Sequence, residues 1–225
     1  MINVVCVWWG TKFPFAYVQN LKSMIERNTS HDFKFHVFST EPIEGYSTKI
    51  LKPGYEGWWN KLQMFDPIHS LGQRAIYFDL DTLIVNNLDW LFEYKGNMLG
   101  IEDVGSVNAH QPHLKNVFQA AVMSWNPLMM AHIWKNFDTA NMSVFRGDGE
   151  YLHSYLNPLQ RDLIQHQFPG KLKSYKYQIY PDMLDDKVSI VCFHGRPSII
   201  QAMSESVTGP MKTYHPQQWI KDYWR

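Results

Sequence analysis

Two aspartates separated by one residue follow an apolar segment in the middle of the chain. Asp79 and Asp81 flank Leu80 directly after RAIYF. Because residues i and i+2 of an extended segment project to the same side, both carboxylates can bind one ligand. Two carboxylates directed at one point repel each other unless a cation lies between them, and a hard divalent ion that also binds phosphate oxygens suits that position. The triplet therefore predicts a metal–diphosphate site, although an arbitrary pair with this spacing more often only ends a strand.

Two other polar clusters also come after apolar runs. Gly10-Thr11-Lys12 lies just beyond INVVCVW, and His194-Gly195-Arg196 follows VSIVCF. Ligands of open α/β sheets bind beyond the carboxyl ends of the strands, so we expect the three clusters to meet in one crevice. An imidazole from His194 beside the two aspartates would favour Mn²⁺, with Mg²⁺ as the alternative, because manganese tolerates a nitrogen ligand better.

The elements that must position these side chains alternate between strands and helices. Strands are predicted at 2–8, 33–38, 46–51, 74–79, 82–85, 98–101, 118–125 and 188–193. Helices are predicted at 15–27, 58–65, 88–94, 127–138, 149–156, 159–167 and 217–224. The polar loop that contains His110 and His113 is predicted to lie at the surface. This alternation predicts a mostly parallel sheet in a single three-layer α/β/α domain over residues 1–225.

The composition narrows the class of protein. The chain has 225 residues with 21 basic and 21 acidic side chains, which does not indicate a nucleic-acid surface. Cys6 and Cys192 lie in apolar runs and are predicted to be buried and reduced. No apolar run approaches the roughly 20 residues that a transmembrane helix needs. We therefore expect a soluble, cytoplasmic protein without a transmembrane segment.

Several segments carry a resemblance to a known family. AIYFDLDTLIV resembles the metal-binding segment of the GT-A glycosyltransferases, particularly family eight, which includes glycogenin and lipopolysaccharide galactosyltransferases. VVCVWWGT is similar to their first strand and nucleotide-contacting loop, and WWNKLQMF places Lys61 where they have a basic residue for the diphosphate. Three later segments continue the resemblance. The family's donor-sugar segment is similar to FQAAVMSWNP, its acidic segment near the sugar is similar to GDGEYL, and its terminal His-Gly element is similar to FHGRP.

The resemblance implies a GT-A fold and a nucleotide-sugar glycosyltransferase. The donor would be UDP-glucose or UDP-galactose, and the hexose would pass with retention to a glycan or another hydroxyl acceptor. The implied metal ligands are Asp79, Asp81 and His194. The implied substrate-binding residues are Trp8, Gly10, Thr11, Lys12, Lys61, Asp79, Leu80, Gln119, Gly195 and Arg196. Asp148 is the candidate catalytic residue. In a double displacement it would be the nucleophile. If the acceptor instead attacks from the face of the leaving phosphate, Asp148 would lie near the acceptor.

Three departures from the family pattern bear on the chemistry. Gln119-Ala120-Ala121 stands where the family has Asn-Ser before Val-Met, Gly149 replaces a glutamine that follows the acidic residue, and Ser198 stands where a lysine is expected. These differences leave the identity of the sugar and the mechanism of retention open.

Two other functions remain as alternatives. Gly149 and Gln119 are compatible with a protein that binds a nucleotide sugar but no longer transfers the sugar. Release of free nucleoside diphosphate would distinguish an enzyme from such a binding protein. The Asp-x-Asp pair also occurs in phosphohydrolases with the pattern D-x-D-x-T, but here Thr82 follows Asp81 without an intervening residue. A nucleotidyltransferase would need a glycine-rich loop after the first strand, where this chain has only Gly10.

Overall fold

A computed structural model describes residues 1–72, 74–107, 112–182, 184–209 and 212–225. The strands in chain order are β1 (Ile2–Trp8), β2 (Phe33–Ser39), β3 (Ser47–Ile50), β4 (Ala75–Phe78), β5 (Thr82–Ile84), β6 (Met98–Glu102), β7 (Phe118–Trp125), β8 (Arg161–Leu163), β9 (Leu172–Ser174), β10 (Ile190–Cys192), β11 (Val207–Thr208) and β12 (Thr213–Tyr214). The α-helices are α1 (Ala16–Asn28), α2 (Asp89–Phe92), α3 (Pro127–Lys135), α4 (Asn141–Val144), α5 (Asp148–Tyr155), α6 (Ile164–Gln167), α7 (Ile199–Ser204) and α8 (Ile220–Tyr223).

The central sheet has seven strands in the order β3-β2-β1-β4-β7-β6-β8. Neighbouring strands are parallel except at β7, which runs antiparallel to both β4 and β6. A second sheet of three strands, in the order β5-β10-β9, carries the strand that follows the acidic triplet. The mostly parallel α/β sheet predicted from the sequence is therefore confirmed.

Both faces of the central sheet are covered by apolar layers. Along β1, Val4 and Cys6 belong to one buried cluster, whereas Val5 and Val7 belong to another. The first cluster includes the apolar side of α1, and the second includes a 3₁₀ helix (Gly57–Phe65) together with α3 and α5. Burial on both sides explains why β1 is a continuous apolar run and not an alternating one, and it confirms the predicted three layers.

Some predicted helices take other forms. Residues 58–65 lie in the 3₁₀ helix, which ends before Pro67 because the residue preceding a proline disfavours the helical conformation. The prediction of one helix over 159–167 is wrong, since β8 occupies the middle of this segment. β8 pairs in parallel with β6 and forms hydrogen bonds with the backbone groups at the edge of β6. The C-terminal helix is limited to one turn, α8.

Other predictions concern single residues and the membrane. Cys6 and Cys192 are buried as predicted, and burial raises the pKa of both thiols. His113 is exposed, and His110 lies outside the described residues. None of the helices in the described ranges is both long and apolar enough to cross a bilayer.

Candidate active site at the carboxyl ends of the central strands

A cavity of about 700 Å³ opens beyond the carboxyl ends of β1 and β4. Its volume is within the range of roughly 300–1,000 Å³ that is usual for small-ligand sites. The cavity is lined by side chains from all three polar regions that follow strands β1, β4 and β10, namely Trp9, Lys12, Asp79, Asp81, His194 and Gly195. Residues separated by more than 100 positions therefore meet at one place, as the positions of the strand ends predicted.

Lys61 joins two acidic side chains at the base of this cavity. Its Nζ lies 2.8 Å from Asp79 Oδ1 and 3.3 Å from Asp148 Oδ2. The lysine comes from the 3₁₀ helix, Asp79 follows β4, and Asp148 is the first residue of α5. Burial opposes the ammonium charge, but Asp148 and Asp79 outweigh that effect, so the pKa of Lys61 is raised above its usual value. Lys61 is therefore a permanent cation that holds elements from both sides of the cavity together.

Asp79 and Asp81 lie in different electrostatic surroundings. Asp79 also accepts a short hydrogen bond from the Tyr77 hydroxyl, and its backbone N–H donates to the carbonyl of Ala121 at 2.8 Å. Burial and the neighbouring charge of Asp79 raise the pKa of Asp81 to about 7, although Lys61 and Lys12 act in the opposite direction. The Asp81 carboxylate is thus an unfavourable anion in the metal-free protein, as expected for a group that gains from a bound cation.

His194 lies in the same cavity but is bonded elsewhere. Its Nε2 is 2.7 Å from Ser174 Oγ, and its ring lies 5.4 Å from that of Tyr177. Burial and the nearby Lys176 lower the pKa of His194 to about 4, so the imidazole is neutral at pH 7, the form that binds metals. Within the described residues, no three potential ligands are close enough together to form a metal cluster. The two carboxylates and the neutral imidazole that line the cavity are each groups that can bind a divalent cation.

The other predicted substrate-binding residues divide into two groups. Lys12, Lys61, Leu80, Gln119 and Gly195 line the cavity. Gly10, Thr11 and Arg196 are exposed and are not among the lining residues.

Trp8, which was predicted to bind substrate, is not among the residues that line the cavity. Its indole N–H donates to the carbonyl of Phe13 at 2.9 Å, and its ring packs edge-on against Phe15 at 5.2 Å. Val7 and Trp9 line the cavity instead. Because side chains alternate along a strand, residues 7 and 9 project to one side while residue 8 projects to the other.

Solved glycosyltransferases share this arrangement of elements. The galactosyltransferase LgtC, crystallised with donor and acceptor sugar analogues, superposes with a TM-score of 0.59 over 88% of this chain and 89% of its own, at 12% identity. GlyE of Streptococcus pneumoniae TIGR4 gives 0.60 over 93% of this chain and 58% of its own, at 13% identity. The bifunctional glycosyltransferase WbbM gives 0.57 over 88% and 46%, at 10% identity.

The chain has the GT-A glycosyltransferase fold. The fold that the sequence resemblance implied is thereby confirmed. The sequence itself matches no protein-family model and no curated protein. The likeness to LgtC and GlyE is consequently one of architecture, and the chemistry must be argued from the side chains at the strand ends of this GT-A domain.

Three further residues that line the cavity of the GT-A domain, and that the predicted set lacks, bear on its chemistry. Tyr77 is buried on β4 and its hydroxyl donates to Asp79, which follows that strand two residues later. Asp103 follows β6 directly, an acidic residue at the end of an apolar strand like Asp79. Trp58 also lines the cavity and is 54% exposed.

Gln119 and Gly149, the two sequence departures near the sugar segment, are in contact. Gln119 Nε2 donates to Asp103 Oδ2 at 2.8 Å. A β-carbon added to Gly149 would lie 2.2 Å from Gln119 Oε1, closer than two non-bonded atoms can approach. The Gln119 carboxamide therefore occupies the space that a side chain at position 149 would need.

We expect Gly149→Ala to destabilise the protein by about 1–3 kcal/mol, because the new methyl group overpacks against Gln119. In a Gln119→Ala background the same change should be neutral or stabilising, since alanine is the better helix former by up to about 1 kcal/mol. Urea unfolding of the two single variants and the double variant measures the coupling. If the changes in unfolding free energy of the two single variants sum to that of the double variant within about 0.5 kcal/mol, the two positions are independent.

Proposed function

We propose that this chain is a metal-dependent glycosyltransferase that transfers a hexose from UDP-glucose or UDP-galactose to a hydroxyl group of a glycan or another acceptor, with retention. The observation that carries the proposal is the single cavity, at the strand ends of a GT-A fold, in which Lys61 joins Asp79 and Asp148 beside Asp81. The acceptor sugar analogue present with LgtC supports a carbohydrate acceptor by likeness. The two buried cysteines agree with action in the reducing cytoplasm, and we propose that residues 1–225 act as one catalytic domain.

The proposed ligands of the metal are Asp79, Asp81 and His194, with Mn²⁺ preferred to Mg²⁺. Bound there, the ion would act as a Lewis acid that neutralises charge on the departing diphosphate. His194 would bind the ion through Nδ1 while Nε2 keeps its contact with Ser174, or through Nε2 after that contact is broken. The ring is neutral at pH 7, so no proton has to leave a charged imidazolium. Asp79 remains shared with Lys61, which fixes one of the two carboxylates in place.

Basic side chains of the chain itself add to the binding of the diphosphate. Lys61 and Lys12 both line the cavity and both lower the pKa of Asp81, so each acts electrostatically at the triplet. Preorganised charges of this kind stabilise the negative charge that develops as the sugar–phosphate bond breaks. Arg196 is exposed beside the cavity and is proposed to approach only the bound donor.

Asp148 is the proposed catalytic residue. Asp148 is the first residue of α5, after Gly147 at the N-cap position, and its carboxylate lines the cavity with Oδ2 3.3 Å from Lys61 Nζ. Burial, followed by the charge of Asp79, raises its pKa despite Lys61. It could attack the anomeric carbon in a double displacement, or lie beside an acceptor that attacks from the face of the leaving phosphate.

The nucleotide specificity is tested by thermal unfolding with UDP and Mn²⁺. Binding at a hundredfold excess over the dissociation constant stabilises a fold by about 2.7 kcal/mol, and each kcal/mol shifts Tm by roughly 2–4 °C in a domain of this size. We therefore expect UDP with Mn²⁺ to raise Tm by about 5–10 °C and Lys61→Ala to shrink that shift. Stabilisation by GDP but not by UDP would contradict the proposed donor without contradicting the proposed metal site.

The affinity for Mn²⁺ should depend on pH through Asp81. The pKa of this carboxyl group is about 7 in the free protein, so below pH 7 the metal must displace a proton, and above it the ligand is already ionised. His194, with a pKa of about 4, does not titrate in this range. We expect the dissociation constant to rise by up to about tenfold per pH unit below pH 7, measured by calorimetry at pH 5.5–8. A pH-independent affinity would contradict the role of Asp81.

A further inference from the structure

Trp58 is a large aromatic side chain that remains half exposed at the mouth of the cavity. It is 54% exposed, whereas the adjacent Trp59 is 6% exposed and belongs to the core. In a 3₁₀ helix, residues three apart lie one above the other, so Trp58 shares a face with Lys61. The Lys61 side chain is only 15% exposed and contacts Asp79 and Asp148. The indole therefore lies on the solvent side of the charged base of the cavity.

Glycine residues place the indole beside Asp148. A β-carbon added to Gly147 would lie 3.0 Å from Trp58 Nε1 and 3.4 Å from its Cδ1, so the edge of the indole rests on the backbone that immediately precedes Asp148. Gly57, with φ of 58°, adopts the left-handed conformation that begins the helix and sets the direction of Trp58. The position of the ring relative to the proposed catalytic carboxylate is thus fixed by two backbone features.

We propose that Trp58 is the platform of an acceptor subsite, on which the apolar face of a pyranose ring stacks. This inference rests on the proposed function, because it names the class of acceptor for the same cavity. The diphosphate of the donor belongs with Asp79 and Asp81, and the attacking hydroxyl must arrive near Asp148. The exposed indole next to Asp148 is therefore placed to contact the acceptor.

The chemistry of an indole selects the type of acceptor. Its flat face offers a large apolar area with a negative π surface, which complements the C–H groups along one face of a sugar ring. An open-chain polyol presents no such face and gains little from stacking. Trp9, which is 36% exposed and follows β1, is another aromatic side chain that lines the cavity and is available to the nucleotide base.

Kinetics with two classes of acceptor test the subsite. Transfer from UDP-glucose and UDP-galactose with Mn²⁺ is measured to methyl hexopyranosides and lactose, and to glycerol as an open-chain acceptor. Trp58→Ala should raise KM for the ring acceptors about five- to tenfold, and Trp58→Phe should raise it less, because a smaller aromatic face remains. The Kd of UDP and the KM of glycerol should change by less than about twofold. Leu159→Ala, which truncates a 94% exposed side chain outside the cavity, is the matched control.

Three results would overturn the subsite. An unchanged KM for ring acceptors in Trp58→Ala shows that no ring stacks there, and a parallel loss of UDP affinity shows that Trp58 lies under the base. Transfer of the hexose by the wild-type protein to water and glycerol alone, with UDP released but no transfer to any pyranoside, also contradicts it. Absence of both UDP binding and donor turnover in the wild-type protein is a separate result, since it removes the proposed function itself.

Discussion

Asp81→Asn is expected to lower the affinity for Mn²⁺ by about 100-fold or more and to bring metal-dependent release of UDP from UDP-sugars below detection. Loss of partners that merely orient metal ligands already costs 10–100-fold, and Asp81 is proposed as a ligand itself. The substitution keeps the size of the side chain while removing one of two neighbouring carboxylates. Because burial and Asp79 disfavour the ionised form of Asp81, the free energy of unfolding of the metal-free variant at pH 8 should be unchanged or higher.

That combination separates a functional role from a structural one. A residue that only supports the fold would lose stability and activity together, whereas Asp81→Asn should lose activity alone. Asp222→Asn, in the exposed turn α8, is the matched control and should retain both. Manganese-dependent turnover by Asp81→Asn at the wild-type rate would contradict the assignment of Asp81 as a ligand.

Asp148→Asn is expected to reduce kcat by two or more orders of magnitude while the Kd of UDP remains nearly unchanged. An amide can neither attack the anomeric carbon nor carry the negative charge that faces the acceptor, but it fits the same space at the start of α5. Loss of an interaction made only in the transition state lowers kcat and kcat/KM together. Steady-state kinetics of UDP release, combined with UDP titration, measures both quantities.

The structure also allows a purely electrostatic role for Asp148, as a counter-charge to Lys61, to be distinguished from a catalytic one. If Asp148 served only as a counter-charge, Lys61 would still retain Asp79, at 2.8 Å and 3.1 Å to its two carboxylate oxygens. The variant would then lose some stability with little change in kcat. An unchanged turnover number would reduce Asp148 to a partner of Lys61, and partial recovery in Asp148→Glu would support a carboxylate with a chemical role.

Much of the fold could be predicted because its signals are local. The continuous apolar runs of β1, β4 and β10 indicate strands covered on both faces. The acidic triplet was expected to be extended, but it forms the turn between β4 and β5, in which the Thr82 N–H donates to the carbonyl of Asp79 at 3.1 Å. β8 could not be predicted in this way. Its three residues carry no strand pattern of their own, and they are extended because the edge of β6 offers them hydrogen bonds.

The site was predicted less completely, for related reasons. Alternation along β1 could have distinguished Trp9 from Trp8, since Val7 and Trp9 project to the same side. The contact between Gln119 and Gly149 joins β7 to α5, and no local pattern reports a long-range contact of that kind. The bond from Ser174 to His194 depends on β9, a short strand that the sequence did not predict.

The central claim is that this cavity breaks the bond between a hexose and UDP with the help of a divalent metal. It is tested most directly by the release of free UDP from UDP-glucose and UDP-galactose by the purified protein, with Mn²⁺ and with excess chelator. The account predicts release with Mn²⁺, weaker release with Mg²⁺, and none in chelator. Full activity in chelator, or UDP that binds with Mn²⁺ but is never released from either donor, would contradict it.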